Sequence, residues 1–199
     1  ENFSKQVENF LLLLTQKERY VVERRFNLDN KEKATLEEIG QFYSVTRERI
    51  RQIEKNALNK LKRNLENGPL IQVGDLAYEL ITNSGGVICE NQLIAKLLTH
   101  RQDYNVEALQ LVLSIDKRFN RIPNTVSFYP YLKLASIAQS DVEMACRQTI
   151  DILNKAKNTM TSSALMKHFT SFKAFPLSES LYQSLIQIDK KIKYLDANS

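Results

Sequence analysis

A strongly basic segment, residues 46–63, is the part of this sequence whose side chains could do specific chemistry. It holds seven lysines and arginines and two glutamates, whereas the rest of the chain carries 21 residues of each sign. The net charge of +5 therefore arises in this one segment. A basic excess confined in this way favours a surface that meets a polyanion. A helix face that is only solvated is the alternative explanation.

Four residues early in this segment have side chains that can read base edges in DNA. Arginine can bind guanine through two hydrogen bonds, glutamine can pair with adenine, and glutamate can accept a hydrogen bond from cytosine. The four candidates for base reading are Arg47, Glu48, Arg51 and Gln52. The lysines and arginines of residues 55–63 suit phosphates, which position a protein on DNA without specifying the sequence.

Two helices separated by a short turn are predicted to position these side chains. Thr35 and Glu38 have the spacing of a capping box, so a helix is predicted over residues 36–42. Its apolar residues at helical spacing are Leu36, Ile39 and Phe42. Residues 43–45 are too few for an element of their own and are interpreted as a turn.

Thr46 is predicted to cap the second helix. The apolar residues expected to face inward at helical spacing are Ile50, Ile53, Ala57 and Leu61. The base-reading candidates fall on the opposite side, near the helix start. A short capped helix, a three-residue turn and a longer helix of this kind form a helix-turn-helix, whose second helix enters the major groove.

Residues 14–62 resemble region 4 of the sigma-70 family, the bacterial transcription initiation factors. The sequence LTQKERYVVERRFNLDNKEKATLEEIGQFYSVTRERIRQIEKNALNKLK contains motifs similar to both halves of that region, in the same order. The resemblance is closer to the primary-type members than to the shorter, divergent ones. Ser44 departs from the Gly, Asp or Asn that is common in the turn, where a positive φ is often required.

The resemblance implies a DNA site and a protein site. Region 4 binds the upstream (minus-thirty-five) promoter element through its recognition helix. The base-reading positions of the family fall on Arg47, Glu48, Arg51 and Gln52. Its DNA backbone contacts fall on Thr46, Arg49 and Lys55. Region 4 also docks on the flap of the RNA polymerase beta subunit. The candidates for that contact are Leu14, Tyr20, Val21 and Phe26. A place in the core of this small domain explains these four apolar residues equally well.

The chain continues well beyond the part that resembles region 4, and nothing in it resembles sigma region 2, which captures the minus-ten element. Gly68 and Pro69 are residues that end helices, so they predict a domain boundary. We expect a helix-turn-helix DNA-binding domain at residues 1–66 and winged-helix-like units at residues 67–138 and 139–199. The predicted fold class is mostly α, with small α+β units after the helix-turn-helix.

An internal repeat supports the prediction that the C-terminal part of the chain consists of two similar units. LVLSIDKRFNRIPN, at residues 111–124, aligns without gaps to SLIQIDKKIKYLDA, at residues 184–197. Helical patterns precede each copy, so each unit is interpreted as three helices followed by a short strand. In the first copy, TVSFYPYLKL is predicted as a partner strand, and the preceding NSGGV is interpreted as a turn. The first copy also resembles HARE-type winged helices through LSIDKRFNRI.

The C-terminal residues 67–199 carry 14 basic and 12 acidic side chains. This small excess of positive charge does not indicate a DNA-binding surface. Their local basic concentrations are Lys117, Arg118, Arg121, Lys190, Lys191 and Lys193. Solvated strand edges, or contact with another protein, explain these residues better than DNA reading does.

Catalytic and metal-binding patterns do not occur in the sequence. His100 and His168 have no further ligand at metal spacing, and Cys89 and Cys146 form no CxxC pattern. We therefore expect no enzyme activity, no metal and no cofactor. Asp116 and Asp189 occupy equivalent repeat positions, which favours a structural role. Without a signal peptide, a membrane-span-length apolar run or disulfide spacing, we expect a cytoplasmic protein.

Three hypotheses for function follow. The main one is a transcription factor that reads promoter DNA and couples to RNA polymerase, either as the C-terminal part of a sigma-like factor or as a free-standing relative that regulates transcription. Its C-terminal units would be accessory units that bind another protein. In the rival hypothesis the region 4-like part contacts only protein, occupying the beta flap in competition with a sigma factor. A third, a nuclease or restriction-associated protein, would need catalytic residues from outside this sequence. The chain opens with Glu1 and not with Met, so what precedes it stays open.

Overall fold

The chain folds into two compact units. The computed structural model describes residues 2–156, 159–168 and 178–193. The first unit comprises Glu1–Leu76 and Leu97–Lys117, and the second comprises Ala77–Lys96 and Arg118–Ser199. The division into three domains at residues 66 and 138 stays a prediction.

The fold is mostly α-helical, as predicted. In the part of the chain that the structure describes, the helices are α1 (Phe3–Leu11), α2 (Gln16–Phe26), α3 (Leu36–Phe42), α4 (Arg47–Asn64), α5 (Ile71–Asn83), α6 (Glu90–His100), α7 (Val106–Ile115), α8 (Gln139–Ala156), α9 (Ser162–Met166) and α10 (Glu179–Ile188). The strands are β1 (Val87–Cys89), β2 (Phe119–Ile122) and β3 (Tyr131–Leu134), and a 3-10 turn, Leu65–Asn67, follows α4. None of the described helices is both long enough and apolar enough to span a membrane.

Side-chain caps start the helices of the first unit. At α2, Thr15 Oγ1 accepts from the Glu18 amide at 3.4 Å, and the Glu18 carboxylate accepts from the Thr15 amide at 3.0 Å. The predicted capping box of Thr35 and Glu38 is present at α3, with distances of 3.2 and 2.7 Å. Because each box satisfies amides that a helix start leaves unpaired, it sets where the helix begins. The predicted helix over residues 36–42 is confirmed at both ends.

The predicted inward face of α4 is confirmed. Both α2 and α3 pack on α4. Ile50, Ala57 and Leu61 are fully buried, and Ile53 is half-buried against the same core. Phe42 has the helical spacing of the buried Ile39 but is 66% exposed, because it lies in the last turn of α3 and stacks outward on Tyr20.

The first unit also contains α7, which lies far along the chain from α4. It packs on α2 and α4, and six of its ten residues are buried. The loop before α7 is tied to α1, since the Phe3 amide donates to Asp103 Oδ2 at 2.7 Å and the rings of Phe3 and Tyr104 lie 4.5 Å apart. The compact unit around α4 therefore extends well beyond the segment that resembles region 4.

A three-stranded antiparallel sheet organises the second unit. Its strand order is β1-β3-β2, with Ile88 opposite Leu132 and Arg121 opposite Leu132 on the other side. Along the chain the elements run helix, strand, helix, helix, strand, strand from α5 to β3. This succession and strand order are those expected of a winged helix, but α7 belongs to the first compact unit, so the winged-helix-like units stay predictions.

Two predictions for this sheet were wrong, one about the extent of a strand and one about a turn. TVSFYPYLKL is not one strand, because only Tyr131–Leu134 joins the sheet. Pro130 precedes that strand and cannot donate to a ladder, and Phe128 instead forms an isolated bridge with Asp189. NSGGV is more than a turn, since Val87 begins β1. The β-branched pair Val87-Ile88 after two glycines was the available signal for that strand.

Helix α10 packs on β1 through a glycine with a positive φ. Gly85 has φ +79°, and a Cβ placed on it would lie 2.4 Å from the Cβ and 2.6 Å from the Cα of Leu181. Ser184 Oγ also donates to the Ser84 carbonyl at 3.1 Å. The close approach of α10 to the start of β1 therefore requires a residue without a side chain at position 85.

The two repeat copies have the same backbone at the end of their third helix, but they differ in the residues that follow. Asp116 ends α7 with φ −76° and ψ 125°, and Asp189 ends α10 with φ −85° and ψ 123°. Both aspartates are buried, at 4% and 3% exposure. The predicted three helices per copy are present. The strand predicted for the second copy is absent from its described part, since Asp189 forms only an isolated bridge and residues 190–193 are not in a strand. The end of that predicted strand lies outside the described residues, as does Phe169 of the predicted LMKHF helix.

Candidate nucleic-acid interface

The exposed side of α4 at its N-terminal end presents the base-reading candidates together. Thr46 caps the helix as predicted, since its Oγ1 accepts from the Arg49 amide at 3.2 Å. The four base-reading candidates all lie exposed on the first two turns: Arg47, Glu48, Arg51 and Gln52. Ile50, between them in sequence, is fully buried. The burial of one side of the helix therefore fixes which side chains face outward.

Glu48 and Arg51 form a two-point ion pair on this surface. Arg51 Nη2 lies 2.6 Å from Glu48 Oε1, and Arg51 Nε lies 2.8 Å from Glu48 Oε2. The hydrogen bonds from Arg51 hold the pKa of the Glu48 carboxyl below its ordinary value. Both side chains remain more than half exposed. The guanidinium is thus oriented before any ligand arrives, although water can compete for the pair.

The backbone candidates surround the same surface. Thr46, Arg49 and Lys55 are all exposed, and Arg49 Nη1 donates to Gln52 Oε1 at 3.3 Å. These residues and the base-reading candidates therefore share one side of α4 and its capped end. A helix N-terminus also carries a partial positive charge, which favours an approaching phosphate.

The turn between α3 and α4 depends on two backbone features. Ser44 has φ +52°, so the positive φ expected at this turn is present in a residue other than glycine. Gly40 lies so close to the turn that a Cβ on it would be 2.8 Å from the Val45 carbonyl oxygen. The Val45 amide also donates to the Gly40 carbonyl at 2.9 Å. Sequence reasoning missed Gly40, whose signal was a lone glycine inside a predicted helix.

Ion pairs that sequence reasoning also missed hold α4 against α2. Arg25 Nε lies 3.0 Å from Glu54, and its Nη1 donates to the Ala34 carbonyl at 2.9 Å. Lys60 Nζ lies 2.7 and 2.8 Å from the two oxygens of Glu18. Burial alone would raise the pKa of Glu18, but hydrogen bonds from Lys60 and Thr15 lower it. Lys60 is therefore paired within the protein, as Arg51 is, whereas Lys55 and Lys62 have no ion-pair partner among the described residues.

The four candidates for the flap contact differ in exposure. Leu14 and Val21 are buried, at 8% and 0%, whereas Tyr20 and Phe26 are half-buried. Tyr20 stacks on Phe42 with ring centroids 5.1 Å apart, and both rings meet Tyr43 edge-on. Tyr20, Phe42 and Tyr43 therefore form an aromatic cluster in which Phe42 is exposed.

Three of the basic residues singled out in the C-terminal part of the chain have partners within the second compact unit. Arg121 binds the buried Glu90 through two hydrogen bonds of 2.7 and 2.8 Å. The Arg118 guanidinium lies over the Tyr78 ring, and the Lys190 ammonium over the Tyr129 ring. These cations therefore have structural partners, which a merely solvated strand edge would not provide.

Metal ligands do not cluster in the part of the chain that the structure describes. No group of three or more His, Cys, Asp or Glu side chains there could hold an ion. The described cysteines, Cys89 and Cys146, are both free.

A capped helix, a turn with a positive φ and a second capped helix with exposed polar residues at its start define a helix-turn-helix module. Comparison with known families agrees, because Sigma-70, region 4 matches residues 10–63. This part of the chain is a sigma-70 region 4 segment.

Curated relatives match the same part of the chain. The RNA polymerase sigma factor SigA of Microcystis aeruginosa is 52% identical over 64 residues, which is 32% of this chain and 15% of that protein. SigA of Bacillus sp is 50% identical over 62 residues, 31% of this chain and 16% of the relative. The chloroplastic RNA polymerase sigma factor sigF of Arabidopsis thaliana is 40% identical over 70 residues, 35% of this chain and 13% of the relative. The chain thus spans a small part of the length of these relatives.

Proposed function

We propose that this chain recognises promoter DNA of the minus-thirty-five type through α4 and acts together with RNA polymerase. The observation that carries the proposal is the set of base-reading residue types on the exposed, capped start of α4, within a sigma-70 region 4 segment. The relatives that match this segment are RNA polymerase sigma factors, which supports both partners.

Each residue of the interface has a proposed role. The base edges in the major groove are read by Arg47, Glu48, Arg51 and Gln52. The DNA backbone is contacted by Thr46, Arg49 and Lys55. Since α4 rests on α2 and α3 through a buried apolar face, it can present these side chains to DNA as a rigid set.

The test is binding of the full chain to a duplex with a consensus minus-thirty-five element and to a scrambled duplex, over a range of salt. We expect tighter binding to the promoter duplex. Arg47→Ala should remove about 1–3 kcal/mol of that preference, the value of one good base contact. Arg147→Ala, which removes the same charge from an exposed position on α8, is the matched control and should keep the preference.

Two outcomes would contradict base reading. Equal binding to both duplexes, with the same loss on raising the salt, would mean that α4 meets only phosphates. A promoter preference that survives Arg47→Ala unchanged would place the reading surface elsewhere.

We assign contact with the polymerase beta flap to the half-buried side chains of Tyr20 and Phe26 on α2. Leu14 and Val21 would support that surface from within, because both are buried. The exposed Phe42, stacked on Tyr20, extends it. Phe42→Ser should weaken binding of the chain to RNA polymerase core while leaving the promoter preference intact. An unchanged affinity for the polymerase would remove Phe42 from the contact.

A second candidate function is a regulator that binds the polymerase and does not read DNA. The exposed Phe42, packed on the half-buried Tyr20 and Tyr43, favours it, since aromatic side chains are enriched at protein interfaces. In this case the chain would compete with a sigma factor for the beta flap, and Arg47→Ala would leave that competition unchanged.

The winged-helix-like units act in this proposal as accessory interaction units for another protein. Their third helices, α7 and α10, each have six buried residues of ten, so neither can lie in a major groove as a reading helix. DNA reading then belongs to α4.

A further inference from the structure

A groove in the first unit runs between α4 and the last turn of α7. Residues spaced by four, three and four positions form its α4 wall, so they lie along one face of that helix: Arg51, Lys55, Leu58 and Lys62. Ser114 and Ile115 form the α7 wall, and the groove has a volume of about 340 Å³. Arg51 is also one of the base-reading candidates, so the groove is continuous with the proposed DNA surface.

The charges around this groove are mostly positive and accessible. Lys55 and Lys62 are exposed, and within the described residues neither ammonium group has an ion-pair partner. Glu54, the acid in the α4 wall, is neutralised by Arg25 at 3.0 Å. The groove therefore has a basic rim over the apolar Leu58 and Ile115.

Beyond α7, Lys117 is a third lysine, two residues past Ile115 of the groove wall. Its Nζ lies 2.6 Å from Glu66, which is one helical turn past Lys62 along the chain. Both partners are more than half exposed, at 63% and 58%, so the pair is weak and can exchange for another anion. Because α7 packs on α2 and α4, Lys117 is held at a defined place relative to α4.

We propose that the DNA-binding surface extends from α4 across this groove, with Lys62 and Lys117 contacting backbone phosphates beside the element that α4 reads. The inference rests on the proposed function of α4. It adds a DNA contact from residue 117, which lies outside the sigma-70 region 4 segment at residues 10–63. Phosphates suit the site because lysine binds them as a point charge and needs no fixed geometry.

Phosphate contacts and base contacts respond differently to substitution, which makes the proposal testable. Lys62→Ala combined with Lys117→Ala in the full chain should weaken binding to promoter and scrambled duplexes equally. The slope of log affinity against log salt should become shallower by about 2, because each lost phosphate contact accounts for about 0.9. The preference for the promoter duplex should stay as in the wild type.

A double variant with the same loss of charge serves as the control. Lys5→Ala with Lys155→Ala removes two exposed lysines, on α1 and α8, neither of which lines the groove. Its salt slope should match the wild type. Glu66→Gln acts in the opposite direction, since it frees Lys117 and removes an acid near the phosphates, and it should raise affinity for both duplexes.

The outcomes separate this inference from the proposed function. Equal slopes for the groove variant and the control variant would overturn the phosphate contact, whether or not the promoter is preferred. An unchanged slope together with weaker binding to RNA polymerase would assign the groove to an acidic protein surface. A shallower slope without any wild-type promoter preference would keep the groove contact and overturn base reading. No binding to either duplex would overturn both.

Discussion

Glu48 and Arg51 are joined by two hydrogen bonds of 2.6 and 2.8 Å across one turn of α4, on the side of that helix that faces outward. Both are proposed base readers, so the pair sets a condition on recognition. In the free protein the two side chains satisfy each other's hydrogen bonds. Both can contact bases only if the pair stays intact on DNA, or if hydrogen bonds to the bases replace those of the pair. The Glu48 carboxylate therefore orients the Arg51 guanidinium, and it can also accept a hydrogen bond from cytosine.

Removal of the Glu48 carboxylate should separate affinity from specificity. Glu48→Ala frees Arg51 and removes a negative charge from the DNA surface, so affinity for a scrambled duplex should rise and its salt dependence should steepen. Discrimination between the promoter and scrambled duplexes should fall by roughly tenfold, within the range of one base contact. The measurement is fluorescence anisotropy with both duplexes. Equal gains on both duplexes, with discrimination intact, would show that Glu48 only screens Arg51.

Acid should weaken the start of α3 through Glu38. The Thr35 amide, followed by its hydroxyl, donates to Glu38 and lowers the pKa of this carboxyl below its ordinary 4.5. A lowered folded-state pKa means that the stabilisation is present above pH 4.5 and is lost as pH falls through the folded-state value. Glu38→Gln should therefore be less stable than wild type in urea unfolding at pH 7, and the difference should shrink toward pH 3. A difference that is constant with pH would exclude the carboxylate as its source.

Gly85→Ala should strongly destabilise the second unit. Its φ of +79° is costly for alanine, and the new Cβ would meet the backbone of Leu181 at 2.6 Å. Strain alone amounts to about 1–3 kcal/mol, and the displacement of α10 adds to it. Gly68→Ala is the matched control, because Gly68 has an extended backbone and no atom within 3.9 Å of its Cβ position. That change should be neutral or stabilising, by up to about 1 kcal/mol. Thermal unfolding compares the two, and equal midpoints would contradict the packing described for Gly85.

The two cysteines should differ in reactivity. Cys146 is 1% exposed, and burial raises the pKa of its thiol to about 12, so almost no thiolate exists at pH 8. Cys89 is half-buried on β1. A thiol reagent at pH 8 should label at most one cysteine per native chain and two after unfolding in guanidinium. Cys89→Ser should abolish the native reaction, and persistent labelling of that variant would mean that the core around Cys146 opens readily.

The helix-turn-helix could be derived from the sequence because its determinants are local. The hydrogen bonds of Thr35 with Glu38 and of Thr46 with Arg49 join residues three apart. The spacing of Ile50, Ala57 and Leu61 similarly depends only on the period of one helix. Such short-range signals predict where helices begin and which side is buried, and through that which side chains face outward.

The sequence by itself thus determined the two helices of the DNA-reading motif, their caps and the identity of the exposed candidates. Only the tertiary structure decided that α7 packs on α2 and α4, that Lys60 pairs with Glu18, and that Val87–Cys89 forms a strand beside Tyr131. The physical reason is distance along the chain. Each of these relationships joins residues dozens of positions apart. Such pairings depend on which surfaces meet when whole helices and strands pack, and neither the hydrophobic period of one helix nor its cap predicts that.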